Sequence, residues 1–184
     1  MLILASTSPR RRELLTEANI PFTVDAVAVD EQHRLGESPE DFTQRLARAK
    51  AEPVFARHSA ATVLGADTVV VCDQHILGKP ADAADAARML RQLSNRSHQV
   101  ITGVALLSPH GTITRAETTT VTMREISEEE IAAYIATGEP MDKAGAYAIQ
   151  GGAAKFVTQI AGDYTNIVGL PIALVQKMLL NLPQ

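Results

Sequence analysis

The stretch Ser8-Pro9-Arg10-Arg11-Arg12 places charge where local physics disfavours it. A hydroxyl residue followed by proline reads as a helix start, with Ser8 as a side-chain N-cap and Pro9 at the first helical position. Three arginines then occupy the first turn. The helix dipole is positive there, so each cation is mildly destabilising. Two other helix starts obey the dipole: Ser38-Pro39-Glu40-Asp41, and Ser127-Glu128-Glu129-Glu130, which has the form of a capping box. An anion at the arginine-bearing end would remove the conflict, because free backbone N–H groups and guanidinium groups would act on it together. The alternative is a basic cap facing solvent.

Four further residues could complete such chemistry. Asp67 interrupts the apolar run Val63-Leu64-Gly65-Ala66-Asp67-Thr68-Val69-Val70-Val71. A carboxylate within a central strand is costly unless it is paired or binds metal. It could also be a hydrogen-bonded turn residue between two strands. Glu31 follows the extended segment 23–30. Lys50 lies at the flank of a helix whose buried face carries Phe42, Leu46 and Ala49; it either snorkels to water or reaches inward. Lys79 lies in the rigid loop Leu77-Gly78-Lys79-Pro80, where a solvated lysine is the simpler reading. Two acids and several cations at segment ends form a set suited to phosphoryl chemistry assisted by Mg²⁺. Other chemistries lack their motifs: there is no P-loop, no dinucleotide-binding glycine fingerprint, no nucleophile elbow, and the five histidines are isolated.

The elements that must position these residues follow from periodicity. The pattern predicts a strand at 2–5, a helix at 9–18, an extended segment at 22–29 and a helix at 39–52 that breaks near Pro53. Strands follow at 62–66 and 68–72, then a helix at 82–94. Strands at 98–107 and 112–123 flank a turn at Ser108-Pro109-His110-Gly111. A helix at 127–137 stops at Gly138. Short strands come next, around 146–149 and 154–160, and a last helix covers 171–181. The alternation points to an α/β fold with a mixed central sheet and flanking helices, in one domain over residues 1–184.

In the first helix Leu14, Leu15 and Ala18 mark the core face. On a 100° wheel Arg11 shares that face, Arg10 lies at its edge and Arg12 points to water. If the helix end meets a phosphate, Arg11→Ala is expected to impair turnover severely by removing that contact, while leaving stability nearly unchanged or slightly better, because a dipole conflict is relieved.

Composition bounds the partners. Aromatics are 4% of the chain and Trp is absent, which argues against base-stacking platforms for nucleic acid. A net charge of −4 argues against broad contact with a phosphate backbone. The single cysteine, Cys72, allows no disulfide within the chain. No apolar run is long enough to span a membrane and the N-terminus lacks a signal-peptide plan, so a cytoplasmic location is expected.

Taken in order, the segments from Leu4-Ala5-Ser6-Thr7-Ser8-Pro9-Arg10-Arg11 through Gly65-Ala66-Asp67-Thr68, Gly78-Lys79-Pro80, Asp142-Lys143-Ala144-Gly145-Ala146-Tyr147, Ile149-Gln150-Gly151 and Val168-Gly169-Leu170-Pro171 resemble the Maf family of nucleoside triphosphate pyrophosphatases. The resemblance covers nearly the whole chain. It implies two lobes around a deep cleft, similar to inosine triphosphate pyrophosphatases, and a homodimer. It implies hydrolysis between the α- and β-phosphates, giving a monophosphate and pyrophosphate with a divalent cation, Mg²⁺ or Mn²⁺. By position, the proton acceptor falls on Asp67, and the polar residues of the phosphate and metal site fall on Ser6, Arg11, Glu31, Lys50 and Lys79. Of these, Glu31 and Asp67 would hold the metal. The positions that separate substrate subgroups fall on Arg10, Thr68 and Gln150, which match the dTTP/UTP branch. Two alternatives stand beside this: the same chemistry on modified nucleotides, or a nucleotide-binding regulator of cell division without turnover.

Overall fold

The structure, a computed structural model, describes residues 1–182. Its strands are β1 (Leu2–Leu4), β2 (Phe22–Val24), β3 (Thr62–Cys72), β4 (His75–Leu77), β5 (Ser97–Ser108), β6 (Gly111–Met123) and β7 (Val157–Ala161). Its helices are α1 (Pro9–Glu17), α2 (Pro39–Arg57), α3 (Ala83–Leu93), α4 (Glu128–Ala136), α5 (Tyr164–Val168) and α6 (Ile172–Leu180). Three 3₁₀ turns cover Glu139–Asp142, Ala144–Ala146 and Gly152–Phe156. The sheet is mixed, in the order β2-β1-β3-β5-β6-β7 with β4 paired to β3. Among the described residues no helix is long and apolar enough to cross a membrane.

The chain divides into two compact units. Among the described residues, unit 1 comprises 1–68, 102–117 and 169–182, and unit 2 comprises 69–101 and 118–168. In unit 1, β1 runs parallel to both β2 and β3, with Ile3 opposite Thr23 and Val63. A parallel strand with partners on both sides is apolar throughout, and Leu2-Ile3-Leu4 is fully buried. Ile3, Ala5, Val63, Ala105 and Leu107 pack with Ala47, Ala51 and Val54 of α2 in one core cluster. In unit 2, α3 starts on Asp82, whose side chain accepts the Asp85 N–H at 2.8 Å. The helix α4 starts on the capping box of Ser127 and Glu130.

Several boundaries differ from those read in the sequence. The helix α2 continues through Pro53 to Arg57. Proline in a helix interior costs about 3 kcal/mol. Here Ala51 and Val54 on either side of it are completely buried in the unit 1 core, and their packing offsets that cost. The two strands expected at 62–66 and 68–72 are one, β3, so Asp67 is a strand residue and not a turn residue. The segment around 146–149 is no strand. Gly145 and Ala146 have φ of +68° and +57°, which breaks an extended path, and the apolar side chains of Ala146–Ile149 are buried from a turn instead. The expected segment 22–29 pairs only over Phe22–Val24, and within 154–160 the strand starts at Val157. Neither β4 nor α5 was visible in the sequence pattern.

Candidate active site

Unit 1 gathers most of the predicted site residues. Its geometry starts from two glycines. Gly65 on β3 lies so close to α2 that a Cβ there would overlap the carbonyl oxygen of Ala47. A Cβ on Gly103 of β5 would likewise overlap the backbone of Thr43 and Gln44. Backbone can thus press on backbone at both points. Residues i and i+2 share one face of a strand, so Asp67 lies on the face that Gly65 gives to α2. Lys50 is three residues past Ala47, almost one helical turn. Its ammonium therefore arrives over the carboxylate, and Lys50 Nζ donates to Asp67 Oδ1 at 2.6 Å.

The same ammonium reaches Glu31 Oε1 at 2.8 Å. Lys50 and Asp67 are nearly enclosed, with side chains 15% and 10% exposed, whereas Glu31 is 57% exposed. Burial pushes the Asp67 pKa up, against the pull of Lys50 and Arg11. A carboxylate raised in this way is a better proton acceptor than an exposed one.

Arg11 is buried, Arg10 is half-buried and Arg12 is exposed, as the wheel predicts. The Arg11 guanidinium ties four segments of unit 1 together. It donates from Nε to the Gly169 carbonyl at 2.8 Å and from Nη1 to the Ala66 carbonyl at 2.8 Å. It also donates to Ser6 Oγ and Thr68 Oγ1, each at 3.2 Å. Gly169 has φ of +131°, and that left-handed backbone turns its carbonyl to Arg11. Burial pulls the Arg11 pKa down, and Asp67 counters it. The conflict with the dipole thus has a compensation that spacing did not reveal, in backbone carbonyls from distant segments. It also overturns the expectation that Arg11→Ala is harmless to stability: several buried acceptors would be left unmet.

Ser8 occupies the N-cap position of α1, but its hydroxyl makes no capping bond. Ser6 Oγ does the ordering, accepting the Ser8 N–H at 3.2 Å as well as Arg11. The Thr68 hydroxyl is likewise internal, 2.9 Å from Thr102 Oγ1 and 3.3 Å from the Gly169 carbonyl.

Two predicted residues belong to unit 2. Lys79 is exposed, in a loop fixed by the Gly145 N–H donating to the Gly78 carbonyl at 3.0 Å. Gln150 is exposed at the third position of a turn that the Gly151 N–H closes on the Ala148 carbonyl at 3.1 Å. Tyr134 and Glu139, which brace that turn, escaped the sequence reading; the one available signal was the glycine pair Gly151-Gly152 after Gln150.

Among the described residues no group of three or more His, Cys, Asp or Glu side chains surrounds a metal position. Glu31 and Asp67 do converge on one cation, the Lys50 ammonium. Two hard carboxylates fit what Mg²⁺ takes from a protein when substrate phosphates and water fill the other positions.

Several relatives of the chain are dTTP/UTP pyrophosphatases by name. A dTTP/UTP pyrophosphatase of Koribacter versatilis is 58% identical over 178 residues, 97% of this chain and 92% of the relative. Those of Symbiobacterium thermophilum and Geotalea uraniireducens are 53% and 56% identical, over 97% and 93% of this chain and 92% and 89% of their own. The Staphylococcus aureus Ham1 protein shares the fold, with a TM-score of 0.56 and 16% identity over 97% of both chains. The family model for Maf-like proteins matches residues 1–182, and with relatives this similar across almost their full length the chain belongs to the Maf family.

Proposed function

We propose that this protein hydrolyses dTTP and UTP to the monophosphate and pyrophosphate. The observation that carries the reading is the buried Asp67 carboxylate paired at 2.6 Å to a lysine that also holds Glu31 at 2.8 Å. That is a cation-centred pair of acids with one member raised in pKa, and it suits proton transfer from water beside phosphate. The names of the relatives supply the substrates, and the family resemblance supplies the α–β cut.

In this reading Asp67 accepts the proton of the attacking water. Lys50 and Lys79 neutralise phosphate oxygens, and Arg11 contributes its fixed positive charge while its N–H groups hold the wall. Ser6 keeps the first turn of α1 in place, so that its free N–H groups face the anion. Glu31 and Asp67 would hold Mg²⁺ or Mn²⁺, which when bound supplies charge neutralisation on the phosphates. Arg10, Thr68 and Gln150 discriminate the base. The homodimer follows from the resemblance, and a free Cys72 agrees with a reducing compartment such as the cytoplasm.

The test is a product assay on dTTP, UTP and CTP with Mg²⁺ or Mn²⁺, resolved by chromatography. Monophosphate and pyrophosphate are expected, fastest from dTTP and UTP. Diphosphate and orthophosphate would overturn the cut. Equal rates on all three nucleotides would overturn the specificity.

A further inference from the structure

The turn that carries Gln150 is held at both ends by side chains that the mechanism does not use. On one side the Ala148 N–H donates to Tyr134 Oη at 3.0 Å, in a buried setting. On the other the Gly152 N–H donates to Glu139 Oε2 at 2.9 Å. The Glu139 carboxylate fills the place a side chain at residue 151 would need, since a Cβ on Gly151 would overlap it. A Cβ on Gly152 would press on the Tyr134 ring at 3.2 Å. The two braces adjoin: a Cβ on Gly152 would have the Tyr134 ring at 3.2 Å and Glu139 Oε2 at 3.5 Å, and burial together with the Glu139 carboxylate pushes the Tyr134 pKa up. Tyr134 is fixed in turn by an edge-on contact with Phe156, with centroids 5.8 Å apart. Gly152 is the first residue of the 3₁₀ turn Gly152–Phe156, so Glu139 meets one N–H group that the turn leaves free.

A glutamine amide has a donor end and an acceptor end. Uracil and thymine present a carbonyl where cytosine presents an amino group, so a mobile glutamine can satisfy either. Discrimination requires that the backbone aim it. We propose that Glu139, with Tyr134 beside it, is a positioning residue that aims Gln150 and so sets the preference among pyrimidine bases. This rests on the reading of Gln150 as a base-contacting residue.

The test compares Glu139→Ala, Glu139→Gln, Tyr134→Phe and Gln150→Ala in steady-state kinetics on dTTP and CTP, with amide hydrogen exchange over residues 148–152. Glu139→Ala should speed exchange at Gly152 and narrow the dTTP-to-CTP ratio of kcat/KM about tenfold, the worth of one lost hydrogen bond, mostly through KM. Its kcat at saturating dTTP should stay within about twofold. Glu139→Gln keeps an acceptor and should recover most of the ratio. Tyr134→Phe should speed exchange at Ala148 and narrow the ratio less. The inference is overturned if Gln150→Ala narrows the ratio and Glu139→Ala does not, or if exchange at Gly152 is unchanged in Glu139→Ala. If Gln150→Ala itself leaves the ratio intact, the base-reading role of Gln150 fails, and the specificity role of Glu139 with it.

Discussion

In unit 1 the buried polar side chains include a guanidinium, Arg11, and a carboxylate, Asp67, whereas in unit 2 they are His98, Thr119 and Asn166. The two sets are satisfied differently. Unit 1 brings a second formal charge to Asp67, the Lys50 ammonium, and gives Arg11 two backbone carbonyls. Unit 2 uses neutral groups: the His98 ring meets the Tyr147 hydroxyl at 2.8 Å, and the Asn166 amide donates to the Val100 carbonyl at 3.0 Å. Buried charge is expensive and is retained where it confers chemistry or shape. Neutral networks fix backbone at lower cost. The buried charges thus lie in unit 1, and the buried polar groups of unit 2 are neutral.

Five substitutions would break or sharpen that contrast. The largest effect is expected from Asp67→Asn, which keeps the shape and removes the charge. Turnover should fall by about 100-fold or more, as when a general base is lost. Lys50 retains Glu31, and the carboxylate that burial disfavours is gone, so the melting temperature should not drop. Calorimetry should still detect dTTP binding. Near-normal turnover would remove Asp67 from the mechanism, and a much lower melting temperature would make it structural.

Arg11→Ala should lose both stability and activity. Unmet buried acceptors at Ala66 and Gly169 imply about 3 kcal/mol or more in denaturant unfolding. Arg12→Ala, at an exposed position, should be silent. Equal effects for the two would refute the assignment of Arg11 as the tie.

Gly65→Ala tests how the acid pair is built. The added methyl must push α2 away from β3, at about 1–3 kcal/mol. It should also lengthen the Lys50–Asp67 pair and lower kcat. Unchanged kinetics in a destabilised protein would separate the helix contact from the chemistry.

The smallest effect belongs to unit 2. Burial pulls the His98 pKa from 6.5 down to about 4. Below 6.5 the unfolded chain binds a proton that the folded one refuses, so His98 favours folding above that pH and the benefit fades as pH falls toward 4. The slope should reach about 1.4 kcal/mol per pH unit. Unfolding measured from pH 7 to 4.5 should show a weaker pH dependence in His98→Asn. Identical slopes would show that His98 is not buried neutral.

Features that depend on neighbours within about one helical turn were legible in the sequence. The wheel of α1 turned Arg11 inward and Arg12 outward, because i, i+3 and i+4 positions share a face. The capping box at Ser127 and the cap at Ser38 are local hydrogen bonds spanning three residues, whereas the cap expected at Ser8 is not made. Where a local rule met a distant partner, the tertiary structure decided. Pro53 did not end α2, because burial of Ala51 and Val54 against β1, β3 and β5 outweighs one missing hydrogen bond. Asp67 stayed in a strand because Lys50, 17 residues away, crosses to it where Gly65 lets the helix approach. Arg11 is held by Gly169, 158 residues on, and no spacing within α1 encodes that bond. The apolar run at residues 146–149 has the composition of a strand, yet two left-handed residues and the Tyr134 hydroxyl make it a turn. Composition and period report what a segment can bury. Which backbone groups and charges satisfy one another is settled only when segments distant in sequence are packed together.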